Sequence, residues 1–300
     1  MNNKKTLLYA LLVMFLWGSL FPIVKLGFSA YNVVGIYDIL LFAGIRFTIC
    51  GILICIYAFM RNRESFHVSG NILKLILLSG LFAIILHYAF TYIGLKLTDS
   101  SKTAILKQLG ALFYICFSAL FFKDDKVTFK KILGAMLGFG GIVAMNFTNG
   151  ELKFYVGDAL IIAASFCTVF SNVISKKVFL KASPVTSTGI SQLFGGLILL
   201  FAGFIGGGRV SFAFDNKLFI MLYICAASCV SYCIWFQAVK KANLSKLFII
   251  KFAEPMFATI MAGILLGENI FKLQYILGFL LIAAGITISS LLPNFKLLSR

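Results

Sequence analysis

The sequence has few charged residues for its length. Only 12% of its 300 residues are Asp, Glu, Lys or Arg, while 61% are apolar and the mean hydropathy is +1.00. A soluble domain of this size carries about 25% charged residues to keep its surface hydrated. The apolar residues also lie in long blocks rather than in an amphipathic rhythm. The composition therefore predicts an all-α integral membrane protein.

Other scarcities exclude several classes of function. Four prolines and no low-complexity run argue against linkers or disordered tails. The seven cysteines lie inside apolar blocks without a CxxC spacing, which argues against a disulfide framework or a metal site. There is no Walker-type loop, and in-span acids are too sparse for a metal cluster or a catalytic carboxylate pair. We therefore expect no enzyme activity, no catalytic residue and no cofactor.

The hydrophobic blocks match the length of membrane-crossing helices, which need about 20 apolar residues. They give ten predicted spans: 6–27, 37–60, 71–95, 101–122, 130–147, 157–177, 184–206, 218–239, 245–266 and 272–292. The first block lacks a small-residue cleavage site, so we interpret it as a retained span rather than a signal peptide.

The basic residues alternate between the two sides of these spans. Seventeen of the 27 Lys and Arg residues lie in segments on the side of the N-terminus, six lie on the other side, and four lie within spans. Cytoplasmic loops of membrane proteins are enriched in Lys and Arg. The pattern therefore predicts a multi-pass protein of the cytoplasmic membrane with both termini in the cytoplasm. Because the basic residues are separated by apolar blocks and form no solvated face, no nucleic-acid partner is expected.

The second half of the chain repeats the first. A shift of 144 residues aligns 88–143 with 232–287 without a gap, and thirteen of the 56 aligned positions are identical, among them Tyr88/Tyr232, Lys107/Lys251 and Gly134/Gly278. Each repeat then has five spans, so the halves enter the membrane from opposite sides. We predict two inverted five-helix repeats at 1–147 and 156–292. Secondary transporters often have this construction, with the substrate site at the midplane between the halves.

Short motifs in the spans resemble a known family. The segment from Trp17-Gly18-Ser19 to Lys25, Arg46-Phe47, and the run from Glu254-Pro255 to Gly285 resemble the ten-helix EamA-domain branch of the drug/metabolite transporter superfamily. The resemblance covers nearly the whole chain as two tandem EamA repeats. It implies a transporter, usually an exporter, of amino acids or other small metabolites. The first repeat departs from the second in having Gly110-Ala111 where the second has Glu254-Pro255.

Ionisable residues inside spans are the first candidates for the substrate site, because a charge in the membrane interior is costly and usually faces a cavity or a partner. The symmetric pair Lys107 and Lys251 could attract a carboxylate or a phosphate; the alternative is snorkelling combined with a structural partner. Glu254 lies at i+3 from Lys251, within pairing reach on a helix. Glu254 could instead bind a proton or a substrate ammonium group at the kink that Pro255 favours.

Other polar and aromatic residues could complete a pocket. His87 would titrate near neutral pH if unperturbed, so it is a candidate for proton coupling, with a packing role as the alternative. Trp17, Tyr88 and Gln192 could line an apolar pocket with a few polar contacts, or serve only in packing. Arg46 and Lys25 are two further charged residues inside spans that could serve the substrate site. For Arg46 the alternative is a structural hydrogen-bond anchor, and for Lys25, near a helix end, it is snorkelling to the interface.

Together these patterns favour a secondary transporter that exports small metabolites, such as amino acids or organic anions, by alternating access. The expected partners are a small-molecule substrate, a proton if transport is proton-coupled, and the lipid bilayer. A lipid-linked carrier or flippase of the same superfamily is the alternative, followed by a membrane-embedded enzyme.

Overall fold

A computed structural model of the chain describes residues 3–97, 106–146, 154–211, 218–267 and 272–290. Within these ranges it contains helices and no strand. The twelve α-helices are α1 (Asn3–Ala30), α2 (Ile36–Arg61), α3 (Gly70–Gly80), α4 (His87–Leu97), α5 (Leu109–Phe121), α6 (Phe129–Asn146), α7 (Val156–Val178), α8 (Pro184–Ile205), α9 (Leu218–Lys241), α10 (Leu244–Ile250), α11 (Ala253–Leu266) and α12 (Leu273–Ser290).

These helices account for ten passes. A π-helical turn, Leu81–Leu86, joins α3 to α4 as one pass, and α10 and α11 form another. Seven passes in the described residues are long and apolar enough to cross a membrane, and Leu109–Phe121 and Leu273–Ser289 are shorter apolar helices. The chain is therefore a multi-pass membrane protein, and the prediction of an all-α, ten-helix fold is confirmed. Of the predicted spans, residues 101–105 of the fourth, 147 of the fifth and 291–292 of the tenth lie outside the described residues.

The most extensive contact between two helices in the described structure joins α2 to α8. Gly44 of α2 lies directly against the backbone of Leu200, and Gly196 of α8 lies against that of Thr48, so neither position has room for a Cβ. The shift of 152 residues that carries Gly44 onto Gly196 also carries Thr48 onto Leu200. The two contacts are therefore equivalent, as a two-fold axis between the repeats requires. Small residues allow this close backbone approach, on which helix association in lipid depends.

The last pass of each repeat, α6 and α12, obeys the same symmetry. Gly134 packs against the carbonyl of Gly285, and Gly141 packs against that of Gly278. Because residue numbers rise along one helix as they fall along the other, α6 and α12 are antiparallel. Other contacts also come in equivalent pairs: α1 packs on α9 and α11, and α7 packs on α4 and α5. This arrangement agrees with two inverted repeats.

We distinguish two ends of the bundle. The basic end is where α2 ends, α8 begins and α9 ends, and it carries Arg61, Lys240 and Lys241. The far end is where α1 ends and α8 ends. The predicted topology places the basic end in the cytoplasm.

Candidate functional site

The fourth and ninth passes are both interrupted at equivalent positions. In the ninth pass α10 ends at Ile250 and α11 begins at Ala253, which leaves Lys251 and Phe252 in a turn. In the fourth pass Lys107 and Gln108 occupy a turn immediately before α5. Both breaks thus fall on the aligned lysines. Interrupted helices at the interface between inverted repeats commonly form the substrate sites of secondary transporters.

Pro255 can account for only one of the two breaks. It lies in the first turn of α11, where a missing N–H costs no helical hydrogen bond. The break precedes it by three residues, and the fourth pass is broken as well, although Ala111 occupies the equivalent position. The prediction of a kink in this region is confirmed, and the break in the fourth pass shows that such a kink does not require a proline.

A buried carboxylate holds in place the start of the ninth pass, which lies at the basic end of the bundle. Asp125, in the connection between α5 and α6, accepts hydrogen bonds from the Ser245 backbone N–H at 3.1 Å and the Ser245 hydroxyl at 2.7 Å. It also accepts bonds from Lys131 Nζ at 2.6 Å and Tyr114 Oη at 3.0 Å. Burial raises the pKa of Asp125, but the bonds from Lys131 and Ser245 outweigh it and hold this pKa below the usual 3.8. This network holds the start of α10 against the first repeat.

The ion pair at the breaks crosses between the repeats. Lys107 Nζ lies 3.4 Å from Glu254 Oε1, and both side chains are largely buried. The second carboxylate oxygen, Glu254 Oε2, is buried and has no hydrogen-bond partner among the described residues. The sequence predicted that Glu254 would pair with Lys251, three residues earlier on the same span. That prediction was wrong: Glu254 forms its ion pair with Lys107 of the opposite repeat, although its backbone N–H bonds the Lys251 carbonyl at 3.0 Å and the i, i+3 spacing is retained.

Lys251 is the less compensated of the two lysines. It is 7% exposed and forms no salt bridge within the described parts of the chain. Its ammonium lies 5.8 Å from the ring centroid of Trp17, while that of Lys107 lies 4.5 Å from the ring of Phe21. Such cation–π contacts are favourable but do not neutralise a charge. That these lysines border a cavity remains a prediction, since aromatic rings cover both ammonium groups in this conformation.

Two tyrosines related by the repeat meet on the symmetry axis. The hydroxyls of Tyr88 and Tyr232 are 3.1 Å apart, and these residues are separated by the same 144 positions as the two lysines. The Trp17 ring packs against Tyr232 at 5.6 Å and against Trp235 at 5.1 Å. The Trp235 indole N–H donates to Asn172 Oδ1 at 2.7 Å, which holds this aromatic group in place.

Arg46 adds another buried cation beside this group. Its Nε and Nη2 atoms donate to the Ser228 hydroxyl at 3.0 and 2.7 Å, and its guanidinium lies 4.8 Å from the ring of Phe47 and 5.9 Å from that of Tyr88. The residue is 3% exposed, and no carboxylate pairs with it in the described structure. Its hydrogen bonds agree with a structural anchor, but its charge remains uncompensated.

We call this group the axial cluster, and its members are Trp17, Arg46, Tyr88, Lys107, Tyr232, Lys251 and Glu254. It contains three cations and one carboxylate. Buried charges are normally paired, because an isolated charge in a low-dielectric interior is costly. The cluster is therefore suited to an added negative charge.

The other two predicted site residues have different surroundings. His87 is buried, and its Nδ1 lies 3.0 Å from the Ala164 carbonyl and 3.1 Å from the Thr168 hydroxyl, which agrees with a packing role. Gln192 is 1% exposed, and neither atom of its amide group has a hydrogen-bond partner among the described residues. Its neighbour Ser191 packs on Gly80 of the third pass.

The sequence-based list missed two members of the axial cluster. Tyr232 is the repeat equivalent of Tyr88, so the alignment contained a signal for it. Arg46 was interpreted mainly as an anchor, since nothing in the sequence placed it beside Tyr88.

Comparison with known proteins agrees with this geometry. The EamA-like transporter family matches the chain twice, over residues 4–147 and 155–291. The chain belongs to the EamA-like transporter family. It is a membrane transporter, and the two matches coincide closely with the two repeats.

Similar proteins carry names of the same kind. An uncharacterized transporter of Archaeoglobus fulgidus is 25% identical over 276 residues, covering 90% of this chain and 91% of its own length. The uncharacterized transporter YvbV of Bacillus subtilis is 25% identical, with 95% and 91% covered, and the uncharacterized inner membrane transporter YedA of Escherichia coli K12 is 23% identical, with 90% and 85% covered. A crystal structure matches with a TM-score of 0.79 at 18% identity, covering 96% of this chain and 97% of the other, which establishes the shared fold alone.

Proposed function

We propose that this EamA-family transporter is a secondary transporter of small metabolites that bear a carboxylate or phosphate group, amino acids and organic anions among them. The axial cluster is its substrate site. The observation that carries the proposal is the coincidence of the two helix breaks with Lys107 and Lys251 at the interface between the repeats.

The charges of the cluster favour an anionic group. Lys251 has no ion-pair partner among the described residues, so an incoming carboxylate or phosphate oxygen would satisfy it. The free oxygen of Glu254 is available to a substrate ammonium group or a proton. An amino acid could therefore use both groups, whereas an organic anion needs only the cation. Charge-assisted hydrogen bonds of this kind are about twice as strong as neutral ones.

The repeats also supply a scheme for alternating access. Exchanging the conformations of the two halves converts the contact between Lys107 and Glu254 into one between Lys251 and Gly110. Gly110 has no carboxylate, so the exchanged state leaves both lysines in need of a negative charge. A bound anion would provide it, which couples substrate binding to the conformational change.

Direction and location follow from the sequence arguments. The basic asymmetry supports a cytoplasmic membrane location with both termini in the cytoplasm. The family resemblance implies export. In the cell, the substrate gradient together with any coupled proton sets the direction of net transport.

The proposal is tested with the purified, full-length protein. A thermal-shift screen with amino acids, organic anions, sugar phosphates, and neutral or cationic analogues should give stabilisation by compounds that carry an anionic group. Hits are then tested for counterflow in proteoliposomes. Stabilisation and counterflow confined to cationic or neutral compounds would refute an anion site, and headgroup translocation without soluble counterflow would indicate a flippase instead.

A further inference from the structure

The basic end contains a cavity that the transport mechanism does not use. It has a volume of about 440 Å³ and lies where α2 ends, α8 begins and α9 ends. Arg61, Lys240 and Lys241 line it, and no acidic residue does. None of these three cations forms an ion pair with a residue that the structure describes.

Polar groups complete the lining beside the cations. The hydroxyls of Ser65 and Thr186 are 2.6 Å apart at the cavity wall. Ser183 caps the 22-residue helix α8, whose N-terminus therefore opens toward the cavity. The positive end of a helix dipole favours anions, and here it adds to the field of the three side-chain cations. Glu64, in the turn before α3, is not part of the lining.

The two-fold symmetry of the fold does not account for this cavity, because side chains occupy the equivalent place at the far end. At the equivalent place on the far end, Gly206 of α8 packs directly against the ring of Tyr37. The Asp38 carboxylate there accepts hydrogen bonds from the backbone N–H groups of Gly35 at 2.6 Å and Arg209 at 2.7 Å. The two ends therefore differ in space and in charge, since a carboxylate and an aromatic ring occupy the far end.

The location indicates the source of an anion. The cavity lies at the end of three membrane-crossing helices, where phospholipid headgroups are found, and Tyr57 at its edge is 53% exposed. Tyrosine is enriched at this depth of the bilayer, and basic pockets between helices on the cytoplasmic side bind anionic headgroups. We propose that this cavity binds the phosphate of an anionic phospholipid in the leaflet at the basic end.

The test compares two variants with the same change in charge. The cavity variant is Arg61→Gln, Lys240→Gln and Lys241→Gln; the control variant is Lys74→Gln, Lys123→Gln and Lys177→Gln, three exposed cations outside the lining. Binding of phosphatidylglycerol and phosphatidylcholine to the purified full-length chain is measured by native mass spectrometry. Inorganic phosphate and glycerol 3-phosphate are titrated in parallel by calorimetry, and thermal unfolding confirms that each variant folds.

The wild type should bind phosphatidylglycerol well above phosphatidylcholine. The cavity variant should lose roughly 100-fold in this affinity, as expected for three basic residues near an anionic headgroup, while the control loses less than about threefold. An equal loss in both variants, or no preference for the anionic lipid, would overturn the proposal. Loss of phosphate binding without a lipid preference would overturn the lipid source and assign the cavity to a soluble phosphate. None of these outcomes depends on transport through the axial cluster.

Discussion

The two helix breaks are equivalent in position but not in chemistry. Lys107 and Lys251 occupy the same place in their repeats, yet Glu254 follows the second break where Gly110 follows the first. The single carboxylate pairs with the lysine of the opposite repeat and leaves its own lysine without an ion pair among the described residues. A symmetric fold thus holds an asymmetric charge distribution, which gives one cation a structural partner and leaves the other available to a ligand.

The packing of Gly110 explains why the asymmetry is maintained. A Cβ on Gly110 would lie 2.5 Å from the Ser165 carbonyl oxygen of α7, so no side chain fits there without moving backbone. At the second break the small residue is Gly18 of α1, where an added Cβ would lie 2.9 Å from the Glu254 carbonyl oxygen. In the first repeat the glycine lies on the broken pass, whereas in the second repeat it lies on the helix that packs against the broken pass. Only the second arrangement leaves room for a carboxylate side chain on the broken pass.

The largest expected effect on stability comes from the anchor of the second break. Asp125→Asn removes the partner of the buried Lys131 and weakens the bonds to Ser245, which should lower the free energy of unfolding by about 3 kcal/mol. The difference is measured by chemical unfolding of the purified protein at pH 7, with Asp124→Asn, a change at an exposed neighbour, as the control. A loss no larger than that of the control would contradict the anchoring role.

The pH dependence of that loss follows from the lowered pKa of Asp125. A carboxylate with a depressed folded-state pKa contributes stability above its unfolded value near 3.8 and loses it as the pH falls through the folded value. The difference between wild type and Asp125→Asn should therefore be constant from pH 5 to 8 and shrink only below about pH 4. A difference that changes between pH 5 and 8 would show that another group titrates with the anchor.

Breaking the ion pair across the repeats should cost somewhat less. Lys107→Gln leaves Glu254 buried without its cation, which should lower the free energy of unfolding by about 2 kcal/mol. The double variant Lys107→Gln with Glu254→Gln should recover most of that loss, because it removes the stranded charge. If the losses in free energy of unfolding from the two single substitutions simply add in the double variant, the two side chains do not interact. The comparison between the breaks would then fail.

Much of the fold could be predicted from the sequence, and the site only in part. Spans and repeats follow from hydropathy and spacing, because lipid imposes both on every helix. The pairing of Lys107 with Glu254 could not be predicted, since it joins side chains 147 positions apart across a helix break. The equivalence of α2 and α8 was hidden because their shift of 152 residues differs from the 144 that aligns the later spans.

The close contact at the first break gives a smaller, local prediction. Gly110→Ala should lower the free energy of unfolding by about 1–3 kcal/mol, because the methyl group meets the backbone of α7. Gly140→Ala is the matched control, since a Cβ there has open space around it and should be neutral or slightly stabilising. Equal effects of the two substitutions would remove the steric reason for the missing carboxylate.

The smallest effect is expected at Pro255. Because the first repeat is broken without a proline, Pro255→Ala should leave the second break in place and change the free energy of unfolding by about 1 kcal/mol or less. Transport by this variant should equal that of the wild type. A large loss of transport at unchanged stability would show that the proline, and not the turn at the lysine, shapes the site.

The most direct test of the anion site is the affinity of an identified anionic substrate for Lys251→Gln. The matched control is Lys25→Gln, which removes an exposed lysine from another span. We expect Lys251→Gln to fold normally and to bind the anion roughly 100-fold more weakly, because one partner of a buried charge pair is truncated, while Lys25→Gln should bind it as the wild type does. Binding by folded Lys251→Gln within about threefold of the wild type would contradict the assignment of the axial cluster as the substrate site.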